Sequence, residues 1–170
     1  MTDEKGGLAF SVRTAQAGDM ELLWRWANDP TVRVNSFNTD SIPFESHVAW
    51  YTSKLNSADT SFWILEEAGT PIAQIRYDRV DPQTAEISFS VDHRHRGKGA
   101  GTVIVTRTRR QACRILKVTQ LRAFVLVGNP ASKQIFTKSG FTWVRQQIIK
   151  NRDWDEFVWR CDLENESISS

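Results

Sequence analysis

The chain of 170 residues is predicted to adopt an α/β fold, a sheet of about seven strands flanked by about four helices, and three observations carry that prediction. Apolar periodicity switches between strand-like and helix-like runs along the chain, without linkers, repeats or low-complexity stretches. The glycine-rich segment RGKGAG (96–101) stands between the strand-like AEISFSV (85–91) and the helix-like TVIVTRTRRQACRILK (102–117). Beyond that helix, LRAFVLV (121–127) reads as a buried strand.

Taken in order, LAFSVRTA (8–15) is a first strand. A helix runs from Asp19, a suitable N-cap, through Leu22, Leu23 and Trp26, and ends near Asn28 because Pro30 disfavours a helical Asp29. A second helix starts around Pro43 and puts Phe44, Val48, Tyr51 and Leu55 on its core face, leaving His47 off that face. Strands follow at 61–68, 70–78 and 85–91, the first two joined around Gly69. The helix after the glycine turn carries an apolar stripe of Ile104, Val105, Thr108, Ala112, Ile115 and Leu116, with its arginines on the opposite face. A short helix over 130–140 closes at Gly140, and FTWVRQQIIK with DEFVWRC forms a terminal strand pair. The tail ENESISS reads as disordered. Core burial is the expectation for Trp24, Trp26 and Trp63, whereas Trp50 and Trp154 are candidates for lining a pocket.

A chain of this size, 40% hydrophobic, buries roughly 70% of its unfolded surface as one domain, with an ordered core over about 8–161, and needs neither metal nor disulfide. Cys113 and Cys161 show no metal-ligand or redox spacing, so a reduced, cytoplasmic protein is expected. The polar N-terminus and the lack of a long apolar run argue against a signal peptide and a membrane span. Charge is uneven: His93 to Arg152 holds 14 of the 22 Lys and Arg and none of the 20 Asp and Glu. Such a block suits a polyanionic partner. Nucleic acid is disfavoured, because the basic helix also carries a core stripe and no helix-turn-helix or aromatic-basic groove is present.

A glycine turn opening a helix is an anion site: the glycines permit the tight bend, and the first-turn N–H groups and the positive dipole end face the ligand. Its register excludes a P-loop, since Lys98 is followed by Gly99, and a dinucleotide turn, since the third glycine is Thr102 and no acid follows about 20 positions on. What remains, Arg96, Gly99 and Gly101 as R-x-x-G-x-G, resembles the acetyl-CoA signature of the GNAT acetyltransferase superfamily. The segment from Asn129 through Ser132 and Phe136 to Gly140 resembles that family's helix beside the pantetheine arm, and the predicted order β-α-α-β-β-β-α-β-α-β-β is that of the GNAT fold with its central twisted mixed sheet. The resemblance spans about residues 8–161. WRWANDPTVRVNSF (24–37), Glu45, His47, Trp50, AQIRYD (73–78) and AEISFSV are further similar to the UDP-amino-sugar N-acetyltransferases of pseudaminic and related nonulosonic acid pathways.

The resemblance implies direct transfer of acetyl from acetyl-CoA, with no metal, to an amine of a small-molecule acceptor, a UDP-amino sugar first. It implies cofactor contacts at Val91, Arg96, Gly97, Lys98, Gly99, Ala100, Gly101, Asn129, Ser132 and Phe136, with the backbone N–H near Val91 beside the thioester. Arg33, His47, Trp50 and Arg76 are candidate acceptor contacts. Glu86, on the polar face Glu86, Ser88, Ser90 of its strand, is the first candidate for general base, and His47 the alternative. Many relatives carry tyrosine where this chain has Phe136, so water, Tyr51, Tyr77, a serine or the substrate's own ammonium must protonate the leaving thiolate, if anything does. A protein N-terminus, polyamine or aminoglycoside is the alternative acceptor, a non-catalytic acyl-CoA sensor is a different reading, and a homodimer is compatible with all of them.

Overall fold

The structure is a computed structural model that describes residues 9–161, so the readings for Leu8 and for the tail lie outside the described residues. Its strands are β1 (Phe10–Thr14), β2 (Thr60–Glu67), β3 (Thr70–Arg79), β4 (Thr84–Val91), β5 (Gln120–Leu126), β6 (Thr142–Ile149) and β7 (Arg152–Arg160). The helices are α1 (Met20–Ala27), α2 (Pro30–Val34), α3 (Phe44–Leu55), α4 (Ala100–Leu116) and α5 (Pro130–Lys138). The strands form one sheet in the order β1-β2-β3-β4-β5-β7-β6. Every neighbouring pair is antiparallel except β4 and β5. No helix among the described residues is long and apolar enough to cross a membrane.

Strand alternation builds two cores. On one face α4 lies across the sheet, burying Ile104, Val105, Ala112 and Leu116 against Leu65, Ile75, Tyr77, Ile87, Leu121 and Val125. On the other, α1 and α3 cover β2 through Leu23, Trp26, Tyr51, Phe62 and Ile64. Successive residues of β2 therefore serve opposite cores, which is why the strand reads as continuously apolar.

Four sequence expectations change. The chain does not leave helix for good at Asn28: α2 follows, with Pro30 as its first residue and the Asp29 carboxylate accepting from the N–H groups of Thr31 and Val32. Asp29 itself is extended, as its place before proline requires. In α3 the core face is rotated, so that His47 and Tyr51 are buried while Phe44 is exposed. In α4 Ile115 is 46% exposed, and Gly101 and Cys113 complete the buried stripe instead. Finally, Cys113 and Cys161 are joined by a disulfide, against the expectation of two reduced thiols. The two lie 48 residues apart in sequence, and only the return of β7 beside β5 and under α4 brings them together. Spacing along the chain could not reveal that proximity.

Candidate active site

β4 and β5 share three rungs, Thr84 with Gln120, Ala85 with Leu121 and Glu86 with Arg122. Beyond Glu86 the strands part. A cavity of about 1020 Å³ occupies the parting, walled by Ile87 to Val91 on one side and Phe124 to Leu126 on the other, with the glycine turn at one end and β3 and α3 at the other.

At the turn, Gly97 (φ 73°) and Gly99 (φ 87°) both adopt the left-handed region, where any other residue is strained. Gly99 is the N-cap of α4, and no side chain caps the helix. The first intrahelical bond runs from Val103 N–H to Gly99 O, so the N–H groups of Ala100, Gly101 and Thr102 precede the ladder and point with the positive dipole end toward the cavity. Free N–H groups at a helix start of this kind can hold an anion. Gly101 has a different reason to be glycine: a Cβ there would stand 2.5 Å from Ile135 Cδ1, so its place is the contact of α4 with α5.

The cationic residues of the turn are engaged with protein. Arg96 donates through Nε to the Val91 carbonyl and through Nη2 to Asp29 (each 3.1 Å), tying the turn to α2. Lys98 donates to the Arg94 carbonyl. Behind them Asp92 is buried. Burial works against its carboxylate, but the Arg94 guanidinium and N–H and the Trp26 indole N–H hold it well below the usual carboxylate range. Asn129 caps α5 by accepting from Ser132 N–H and donating to Ser132 Oγ, and both residues line the cavity. Phe136, 2% exposed, packs edge-on to Phe89 and Phe141.

At the far end a row of charges crosses three strands. Asp78, Glu86 and Arg122 are register partners on β3, β4 and β5. Arg122 donates to Glu86 at 3.0 Å, while Asp78 receives Arg76 at 2.6 Å and Lys54 at 2.8 Å. Desolvation raises the Asp78 carboxyl, but these two cations and Thr60 bring it below its ordinary value. The Arg76 guanidinium lies 4.7 Å over the Trp50 ring, which is 37% exposed and lines the cavity. Trp154 lies tilted against Phe37, 4.4 Å between centroids, and is 2% exposed, so it backs the opposite wall where the sequence reading had it as a pocket-lining candidate.

Two expected side chains are placed differently from the sequence reading. His47 is 2% exposed and its Nε2 is 2.9 Å from the Met20 carbonyl; a carbonyl only accepts, so that nitrogen carries the proton. Burial lowers its affinity for a second proton. Arg33 donates to the carbonyls of Ala27, Asn38 and Asp40 and to Ser36 Oγ, holding the loop before α3. Conversely, Asp29, Lys54, Asp78, Asp92 and Arg122 were not singled out in the sequence. For Asp78 a signal existed, the alternation Gln74, Arg76, Asp78 along AQIRYD; for Arg122 none did, because its partner is 36 residues away.

Known proteins agree with this architecture. The acetyltransferase (GNAT) domain model matches residues 10–142. Acetyltransferase PseH of Campylobacter jejuni is 24% identical over 124 residues, covering 73% of this chain and 77% of that protein. The crystal structure of spermidine N-acetyltransferase from Vibrio cholerae in complex with CoA and spermine is similar, with a TM-score of 0.79 at 18% identity, covering 89% of this chain and 95% of that one. Aminoglycoside acetyltransferase AAC(6')-Ib in complex with coenzyme A matches with a TM-score of 0.75 at 17% identity, covering 89% and 95%. With the domain model spanning residues 10–142, most of the chain, the chain belongs to the GNAT family of acetyl-CoA-dependent acetyltransferases.

Proposed function

We propose that the protein moves acetyl from acetyl-CoA to a primary amine of a nucleotide-linked amino-deoxy sugar, in a ternary complex and without a covalent enzyme intermediate. The observation that carries this reading is the charge of the acceptor end. Among the described residues only two carboxylates, Asp78 and Glu86, line the cavity, and both are already paired with cations. The lining carries five Lys and Arg side chains, Arg33, Lys54, Arg76, Arg96 and Lys138, against those two carboxylates, an excess that suits an anionic acceptor such as a diphosphate better than a polycation. Trp50, 37% exposed, offers ring surface for a base or a sugar, whereas Trp154 is buried against Phe37. The resemblance of the N-terminal half to UDP-amino-sugar acetyltransferases, and the similarity to acetyltransferase PseH, support the same choice.

In this reading the turn from Arg96 to Gly101, with Asn129, Ser132 and Phe136, seats coenzyme A, and the Val91 N–H faces the thioester oxygen. Glu86 takes the proton of the arriving ammonium, directly or through water, while Arg122 fixes its carboxylate. His47 is the weaker base, because its buried ring resists the imidazolium form. Arg76 and Trp50 contact the acceptor, and Arg33 shapes the wall behind them. The test is acetyl-CoA consumption with a UDP-4-amino-4,6-dideoxy sugar beside spermidine, an aminoglycoside and a peptide amine. Turnover concentrated on the nucleotide sugar is expected; turnover of spermidine or the aminoglycoside in its place overturns the acceptor.

A further inference from the structure

Acetyl transfer breaks a C–S bond, and its electron pair collects on sulfur. Something must meet that charge. The chain has two tyrosines, and neither is available. Tyr51 donates to the Gln16 carbonyl at 2.6 Å, and Tyr77 is bonded to Thr108 in the core under α4. Phe136 has no proton to offer. Of the charged groups that line the cavity, Arg76 and Lys54 are tied to Asp78, Glu86 to Arg122, Arg96 to Asp29 and Arg33 to backbone carbonyls, while Lys138 stands in the last turn of α5.

Among the described residues, two buried polar side-chain atoms of the lining lack a hydrogen-bond partner, His95 Nδ1 beside the glycine turn and Gln74 Oε1 on the wall formed by β3 and β4. Ser90 and Gln74 are register partners on β4 and β3, both lining the cavity beyond the point where β4 has parted from β5. Gln74 Nε2 donates to Ser90 Oγ at 3.0 Å, which occupies an oxygen lone pair and leaves the Ser90 proton to be given elsewhere. Gln74 Oε1 is buried with no donor. A buried acceptor is costly to leave unpaired, so Gln74 Oε1 beside the cavity is a place for a donor, a water in the free protein and an N–H when an amine is bound.

We infer that Ser90, oriented by Gln74, donates the hydrogen bond that stabilises the departing thiolate, and that Gln74 Oε1 receives an N–H of the attacking amine. After the first ammonium proton has left, the amine nitrogen bonds to the acetyl carbon and becomes positively charged. Its surplus proton passes to Ser90 Oγ as the Ser90 proton passes to sulfur while the C–S bond breaks. The products are the amide and the CoA thiol, and no outside acid is consumed. The inference rests on acetyl transfer from acetyl-CoA but not on the identity of the acceptor.

Titration of coenzyme A bound to the protein tests it without any acceptor, with the ultraviolet absorbance of the thiolate as the signal. The bound thiol is expected to ionise at lower pH than free coenzyme A. Ser90→Ala should move that titration back up by about one to two pH units, the size of a hydrogen bond to a charged group. Gln74→Leu should move it the same way, and Ser90→Thr should restore it. With a turned-over amine, Ser90→Ala should lower kcat by on the order of tenfold at unchanged KM for acetyl-CoA. A wild-type titration matching free coenzyme A, an unmoved titration in Ser90→Ala with the fold retained by circular dichroism, or a shift produced by Ser88→Ala in its place overturns the inference. Absence of turnover with a nucleotide sugar bears on the acceptor alone and leaves the thiol titration decisive.

Discussion

His47 illustrates how one side chain's neighbours decide its chemistry. Its helix periodicity left it off the core face, and nothing local shows that α3 is rotated to stack it on Tyr51 and bond it to the Met20 carbonyl. Burial is the larger influence and lowers its proton affinity; the carbonyl bond opposes it. Since the folded ring resists protonation while the unfolded chain takes up a proton normally near pH 6.5, the fold is undisturbed above that value and loses stability as pH falls through it. Melting temperature measured between about pH 7 and pH 5 should decline in the wild type, and the slope should be shallower in His47→Gln. Glu86 was legible for the opposite reason: the alternation Glu86, Ser88, Ser90 is local, and a polar face on an otherwise buried strand faces a cavity in the structure. Were Glu86 the base, Glu86→Gln would remove the acidic limb from the pH profile of kcat/KM; an unaltered limb would assign the proton elsewhere.

Among elements, long periodic segments were the readable ones. The seven strands and the helices α1, α3, α4 and α5 follow from runs of residues whose spacing repeats several times. The five residues of α2 complete little more than one turn, too short for a period, and only Asp29-Pro30 marks the start. The glycine turn was legible as a tight strand-to-helix turn, but not in the separate reasons for its glycines, since that of Gly101 depends on α5 being where it is. Gly99→Ala should therefore cost about 1 kcal/mol by forcing a side chain into the left-handed region, and should weaken coenzyme A binding measured by calorimetry. Gly101→Val meets Ile135 and should lower the melting temperature by overpacking, a loss of about 1–3 kcal/mol. A coenzyme A affinity that falls less in Gly101→Val than in Gly99→Ala would fit the separate roles.

Across the whole molecule, what the sequence concealed is what chain return creates. The disulfide between Cys113 and Cys161 ties the far end of α4 to the exit of β7. A closed loop of this length restricts the unfolded chain by about 4 kcal/mol, so dithiothreitol should lower the melting temperature by several degrees, and non-reducing peptide mapping should recover the linked pair. Equal melting with and without reductant would show that the cross-link adds nothing. The acid-free block was legible in outline, yet its arginines are partly structural: Arg107 holds the Phe10 carbonyl, and Arg109 reaches the Ser139 carbonyl and lies over Trp159.

The parting of β4 from β5 has a thermodynamic side. Because three rungs and α4 hold the two halves of the sheet together, a ligand seated in that gap contacts both and binds only the folded chain. By linkage, acetyl-CoA at a hundred times its dissociation constant adds about 2.7 kcal/mol to folding. Added acetyl-CoA should therefore slow proteolysis of the purified protein in step with its occupancy of the gap.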